Sequence, residues 1–233
     1  MNRVLAIIPA RAGSKRLPQK NIKLLADKPL IAWTIEFAKK LHNVSHVLVS
    51  TDCLHISEVA LEYGADVPWM RPKYLASDES GTSSVIEHAV KELGKVGRVF
   101  DYIIVLQPTS PFRDLQMVSD AIECCIKNNG IPIVSICEAK SNPEWCYKEN
   151  AKGKFISYLD GPEPLRHQDL QPLYDANGNF FIIGTDNFMK YGTFFYPEFI
   201  GVKSNSRKMD IDIDDEFDWF IAEKIMNERS LIE

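Results

Sequence analysis

Hydrophobic and polar positions alternate along this chain in two distinct periods. Val4–Ile8 (V-L-A-I-I) and Tyr102–Leu106 (Y-I-I-V-L) are short continuous apolar runs, and Ile131–Ile136 (I-P-I-V-S-I) is a mostly apolar one. Runs of this length, rich in branched residues and bounded by polar segments, predict strands buried on both faces. His46–Ser50 (H-V-L-V-S) predicts another. Between them the period changes to 3.6. Leu30, Thr34, Phe37 and Leu41 share one helical face, widened by Ile31, Ile35 and Ala38. Further helices are expected from about Leu54 to Tyr63, stopped by Gly64, from Val85 to Leu93, and from Leu115 to Lys127. Asp66–Arg71 reads as a shorter extended piece. The β-α-β-α order implies a parallel sheet with right-handed crossovers.

From Glu138 the texture changes. Pro, Asn, Gly and Lys become frequent up to Pro164, broken by alternating runs such as Lys154–Tyr158. This predicts a β-rich excursion. Phe180–Ile183 returns as a strand, Asn187–Tyr191 as a helical turn, and a last helix carries Phe217, Ile221 and Ile225 on one face. The expected architecture is α/β: a Rossmann-like, mostly parallel sheet with helices on both faces. Residues 1–233 form a single domain in this reading, with a small inserted lobe at about 138–196.

Composition narrows the function. The 233 residues are 45% hydrophobic, enough for a sizeable core, and carry a net charge of −5, which argues against a general nucleic-acid binder. No apolar run approaches the ~20 residues of a membrane span. Met1-Asn2-Arg3 leads straight into a five-residue strand, too short for the apolar region of a signal peptide. A cytoplasmic location is expected. The five cysteines include no C-x-x-C pair, and the five histidines do not cluster, so neither a disulfide framework nor a zinc site is expected.

Against the acidic balance, Arg11, Lys15, Arg16 and Lys20 crowd into ten residues around Gly13 and Ser14. They follow the first strand directly, where open α/β sheets bind ligands. Glycine allows close backbone approach, and the cations add charge-assisted bonds to phosphate oxygens. The segment reads as a polyphosphate cradle; the plainer reading is a solvated basic loop. It matches neither G-x-x-x-x-G-K-[ST] nor G-x-G-x-x-G, which excludes the commonest kinase and dinucleotide loops. Polar clusters also follow Leu106 and Ile183. After Leu106, Gln107 heads Q-P-T-S-P-F-R. Its carboxamide can satisfy both the donor and the acceptor edge of a pyrimidine, though an ordinary proline-rich turn explains the segment equally well. Asp210, Asp212 and Asp214 alternate with Ile211 and Ile213, which on an extended segment puts the carboxylates on one side. Such hard oxygen donors suit Mg²⁺. Asp215 and Glu216 could simply cap the last helix.

The stretch I-P-A-R-A-G-S-K-R-L-P-Q-K-N, residues 8 to 21, resembles the N-terminal signature of the acylneuraminate cytidylyltransferases, and later segments extend the likeness over nearly the whole chain. The resemblance implies that Arg11, Ser14, Lys20 and Asn21 contact the triphosphate of CTP. Arg11 and Lys20 would act catalytically by stabilising charge on the α-phosphate and departing pyrophosphate. Arg71, Ser80, Thr82 and Gln107 would surround the cytidine. The family's aspartate pattern favours Asp212 and Asp214 as ligands of Mg²⁺ (or Mn²⁺), with Asp210 a register alternative. R-H-Q-D-L and Y-D-A-N-G-N-F-F resemble the family's acceptor segments, which gives Arg166, Gln168, Asn177 and Phe181 to the sugar. Phe194, Phe195 and Tyr196 could add an aromatic wall.

The implied partners are CTP and a nine-carbon 2-keto sugar acid, in a homodimer formed through the lobe, with neither nucleic acid nor membrane. Where many sialic acid enzymes carry His-Pro-x-Lys, this chain has Asn142-Pro143-Glu144-Trp145. That departure looks more like versions acting on legionaminic acid, since a tryptophan offers flat apolar area in place of a hydrogen-bonding lysine. The alternatives are the same chemistry on 3-deoxy-manno-octulosonate, and a nucleotide sensor without catalysis. No residue stands out as a general base.

Overall fold

The computed structural model describes residues 2–77, 80–159, 166, 169–195 and 197–228. In chain order the elements are β1 (Val4–Pro9), β2 (Leu24–Leu25), β3 (Lys28–Pro29), α1 (Leu30–Lys40), β4 (Val44–Ser50), α2 (Leu54–Glu62), α3 (Thr82–Lys95), β5 (Tyr102–Val105), α4 (Leu115–Lys127) and β6 (Ile133–Glu138). There follow β7 (Tyr147–Glu149), β8 (Phe155–Ser157), β9 (Tyr174–Gly184), α5 (Thr185–Tyr191), β10 (Ile200–Lys203) and α6 (Glu216–Asn227).

Six strands make one mixed sheet in the order β10-β6-β9-β5-β1-β4. β1 lies parallel to both β4 and β5, and β10 parallel to β6. Successive residues of β1 serve opposite faces. Val4, Ala6 and Ile8 pack into the core under α1, α2 and α4, while Leu5 and Ile7 join the core under α3 and α5. Burial on both faces is why the strand reads as an unbroken apolar run. A third cluster, with Leu17, Leu25, Phe112, Ile213, Trp219 and Ala222, pins α6 and the segment before it against the basic loop.

The expected elements form, with three differences. β9 is eleven residues long and antiparallel to both β5 and β6. Its C-terminal end therefore lies at the opposite edge of the sheet, and the polar cluster expected after Ile183 is not at the ligand edge. Residues 174–179, at its start, are there instead. β10 is an additional edge strand. Four residues holding Gly201 and Lys203 give no apolar run, and one-sided pairing with β6 needs none. Third, α3 begins at Thr82, three residues earlier than its apolar face suggests, with Gly81 at the cap. In the lobe, β7 and β8 form a two-stranded antiparallel ribbon.

Candidate active site

The parallel strands β1, β4 and β5 end at a common edge, and a cavity of about 570 Å³ opens there. That volume suits a small ligand. Every residue that the sequence reading gave to CTP lines it: Arg11, Ser14, Lys20 and Asn21 from the basic loop, Arg71, Ser80 and Thr82 beside it, and Gln107 after β5. Asp212 and Asp214 line it too. The basic loop is therefore a cavity wall and not a solvated excursion.

Local bonds explain the loop's shape. The Ala12 amide donates to Asp52 Oδ1 (2.9 Å), and Asn21 Nδ2 donates to the Arg11 carbonyl (3.1 Å). Arg11 Nη1 donates to the Ser77 carbonyl at 3.1 Å, closing the loop towards the Ser80–Thr82 side. Thr82 opens α3, so the positive end of a fourteen-residue helix faces the same cavity. Lys20 is 8% exposed. Its Nζ donates to the Ile213 carbonyl (2.5 Å) and pairs with Asp214 Oδ1 (3.1 Å). Arg16 meets the other oxygen of Asp214 at 2.5 Å. Arg71 is buried at 5% and holds the Ser50 carbonyl and hydroxyl. Its burial brings its pKa down to about 10, opposed by Asp52 and aided by Arg11.

Gln107 lies against Gly178, whose φ of +75° suits glycine. A Cβ there would meet Gln107 Oε1 at 2.5 Å. The side chain of Gln107 is thus seated by the irregular stretch of β9 around Gly178.

The aspartates do not form one extended row. Arg207–Asp210 is a 3-10 turn, which rotates Asp210 away from the first cavity. There it accepts from Asn177 Nδ2 (3.0 Å) and from the Ser204 hydroxyl. Asp212 and Asp214 remain at the cradle. Asp215 caps α6 in a capping box with Asp218, whose carboxylate takes the Asp214 and Asp215 amides at 2.9 and 3.2 Å. Asp212's carboxyl is crowded by protein, and this desolvation raises its pKa. Its hydrogen bond with Thr109 and the charge of Lys20 oppose the shift, while Asp214 and Asp218 add to it. Among the described residues no group of three or more His, Cys, Asp or Glu side chains closes round a cation. Asp212 and Asp214, the latter already paired with Lys20 and Arg16, nevertheless fit Mg²⁺, which commonly takes one or two carboxylates with phosphate oxygens and waters.

A second cavity, of about 850 Å³, adjoins the first, and Asp212 lines both. Lys140 and Arg207 bring positive charge to it, Glu138, Asp210, Asp212 and Asp218 bring carboxylates, Ser204 and Ser206 bring hydroxyls, and Phe217 and Ile221 give it an apolar side. Sequence reasoning missed this wall. The signal was the polar run S-N-S-R at the end of β10, a strand it had not recognised.

Among the described residues, those expected at the sugar line neither cavity. Arg166 is exposed and paired with Asp169 at 3.0 Å, and Phe181 packs in a ring cluster with Phe194 and Phe195. Asn177 reaches the second cavity only through its bond to Asp210. Trp145 stands 46% exposed on the lobe and lines neither cavity. Gln168 and Tyr196 lie outside the described residues.

A cytidylyltransferase family model matches residues 5–188, a span that holds the basic loop, Arg71 and Gln107. The chain belongs to the cytidylyltransferase family. It is 39% identical, over 99% of its own length and the whole of the relative, to the CMP-N,N'-diacetyllegionaminic acid synthase of Legionella pneumophila. It is 31% identical to the pseudaminic acid cytidylyltransferase of Campylobacter jejuni, over 90% of each chain. Among solved structures it resembles a CMP:2-keto-3-deoxy-manno-octonic acid synthetase complexed with CTP, with a TM-score of 0.69 at 17% identity, covering 97% of this chain and 98% of the other. At that identity the likeness carries the fold. No helix among the described residues of this cytidylyltransferase is long and apolar enough to cross a membrane.

Proposed function

We propose that this enzyme uses CTP to activate a nonulosonic acid of the diacetylated legionaminic type, forming the CMP-sugar and pyrophosphate. The observation that carries the reading is the sharing of Asp212 by two cavities, one walled by the basic loop and one where Lys140 and Arg207 stand among carboxylates, hydroxyls and an apolar side. CTP occupies the first. Gln107 reads the base, with Arg71, Ser80 and Thr82 around the nucleoside, while Arg11, Ser14, Lys20 and Asn21 take the triphosphate. The acceptor occupies the second, with its carboxylate against Lys140 and Arg207. Its anomeric hydroxyl then lies near Asp212, facing the α-phosphorus. The hydroxyl oxygen forms the new P–O bond, the bond to the pyrophosphate oxygen breaks, and the hydroxyl proton is released. Arg11 and Lys20 stabilise the charge that collects on the leaving group. Asp212 and Asp214 would hold a divalent cation, Mg²⁺ or Mn²⁺, which neutralises phosphate charge when bound.

The full-length likeness to a legionaminic acid enzyme supports the choice of sugar. The apolar side at Phe217 and Ile221 suits a substrate with methyl and acylamido groups at its edge. The lobe exposes Tyr147, Phe155 and Tyr158 at 55%, 70% and 58%, a surface that a second copy of the chain would cover, making the enzyme a homodimer. We place it in the cytoplasm, where CTP is made. The test is a matrix of four nucleotides against several 2-keto sugar acids, scored by pyrophosphate release. CTP with N,N'-diacetyllegionaminic acid should be best, by roughly 10–200-fold in kcat/KM over N-acetylneuraminic acid. Equal values, or a preference for the sialic acid, would overturn the assigned sugar. Pyrophosphate with another nucleotide but not CTP would overturn the assigned base.

A further inference from the structure

The segment Asn177-Gly178-Asn179 was expected at the sugar, yet its side chains turn inward. Asn179 is fully buried. Its Nδ2 donates to the Phe112 carbonyl at 2.7 Å and to the Met209 carbonyl at 3.2 Å, and its backbone amide donates to Asn177 Oδ1. One amide nitrogen thus bridges the end of the base-reading loop and the start of the aspartate segment, 97 residues apart in the chain. Arg113 completes the joint. Its guanidinium donates to the Gln107 carbonyl (2.6 Å), the Asn179 carbonyl (2.9 Å) and Thr34 Oγ1 (3.0 Å), beside the ring of Phe37. All three partners are neutral, and enclosure in the protein pushes its pKa down to about 9. A cation enclosed with neutral acceptors is costly, so its retention needs a reason. The Ile213 amide closes the ring by donating to the Thr109 carbonyl at 2.8 Å.

We infer that Asn179 and Arg113 are positioning residues that lock the base-reading loop, residues 107–113, to the carboxylate segment, residues 209–214, so that base and cation are recognised by one rigid unit. Neither residue lines the nucleotide cavity. They act through Gln107 on one side and through Asp212 and Asp214 on the other. The inference rests on the roles proposed above for those three residues.

The experiment measures two quantities in each variant: the ratio of CTP to UTP affinity by calorimetry, and the Mg²⁺ concentration at half-maximal CTP binding. Gln107→Ala should change the ratio alone, and Asp214→Asn the Mg²⁺ dependence alone. If these two controls move nothing, the assigned roles fail and the coupling is not what failed. With the controls behaving, Asn179→Ala should change both quantities by about fivefold or more, as residues in one hydrogen-bond network do. Arg113→Lys keeps charge and approximate size but loses the fork to Gln107 and Asn179, and should do the same. It serves as the folded variant if Asn179→Ala does not fold. A folded variant with lowered melting temperature and both quantities within twofold of wild type would make the joint plain scaffolding and overturn the inference.

Discussion

Lys20 shows how one side chain can serve both fold and chemistry. It is nearly buried, yet its ammonium lies at the cavity wall between the Ile213 carbonyl and the Asp214 carboxylate. The exposed pair of Arg16 with Asp214 adds little stability by itself. The nearly buried contact made by Lys20 adds more, because removing it strands a carbonyl and part of a carboxylate. Lys20→Ala is therefore expected to lower both melting temperature and turnover. Turnover should fall ~10²–10³-fold, as for the loss of one preorganised contact to developing charge. Lys20→Arg should recover the melting temperature more than the turnover, since the bulkier fork does not fit the same point contact. Steady-state kinetics beside thermal melts read both, and Lys20→Ala turnover within threefold of wild type would remove the residue from the chemistry.

At the scale of the element, the segment from Arg207 to Asp218 takes three forms in twelve residues: a 3-10 turn, a short connection, then a capped helix. Its five aspartates divide into three groups. Asp210 ties the turn to Asn177 and Ser204, Asp212 and Asp214 face the cradle, and Asp215 with Asp218 caps α6. Asp212→Asn and Asp214→Asn should each raise the Mg²⁺ concentration needed for half-maximal rate, whereas Asp210→Asn should leave it unchanged. Desolvation raises the pKa of Asp212, so its ionised form opposes folding at neutral pH. Asp212→Asn should then leave the melting temperature in chelator no lower than that of the wild type, while weakening the metal response. Asp210→Asn as the metal-sensitive variant would refute this division of labour.

At the scale of the molecule, the lobe exposes large rings in series, at Tyr147, Phe155 and Tyr158. β7 and β8 make a ribbon too small to cover its own aromatics, and a two-stranded unit is marginal alone. Pairing through this lobe predicts a dimer by light scattering at micromolar concentration. Phe155→Asp should shift it towards monomer while leaving the circular dichroism of the sheet intact. A monomer in the wild type would refute the expectation. Dimerisation also bears on Arg166 and Trp145, both exposed on the lobe and outside the cavities of their own chain.

Local chemistry was enough to reveal much of this protein. Unbroken apolar runs announced β1 and β5 because burial on both faces leaves no polar positions. The crowding of cations around Gly13 announced the cradle, because no core could absorb it. The residues assigned to CTP by resemblance met in one cavity, because the basic loop and Gln107 follow the ends of β1 and β5, Ser80 and Thr82 lie at the start of α3, and Arg71 is bonded to Ser50 and Thr51 at the end of β4. What remained depended on contacts between distant residues. The direction of β9 is set by its pairing with β5 and β6, and apolar periodicity is the same read either way. That reversal put Gly178 and Asn179 against residues 107–113. The turn at Arg207–Asp210 broke an alternation that suggested three equivalent carboxylates, since Asn177 and Ser204 draw one of them aside. The second cavity exists only because β10 joins the sheet edge beside β6, bringing Arg207 to Lys140 across 67 positions of sequence.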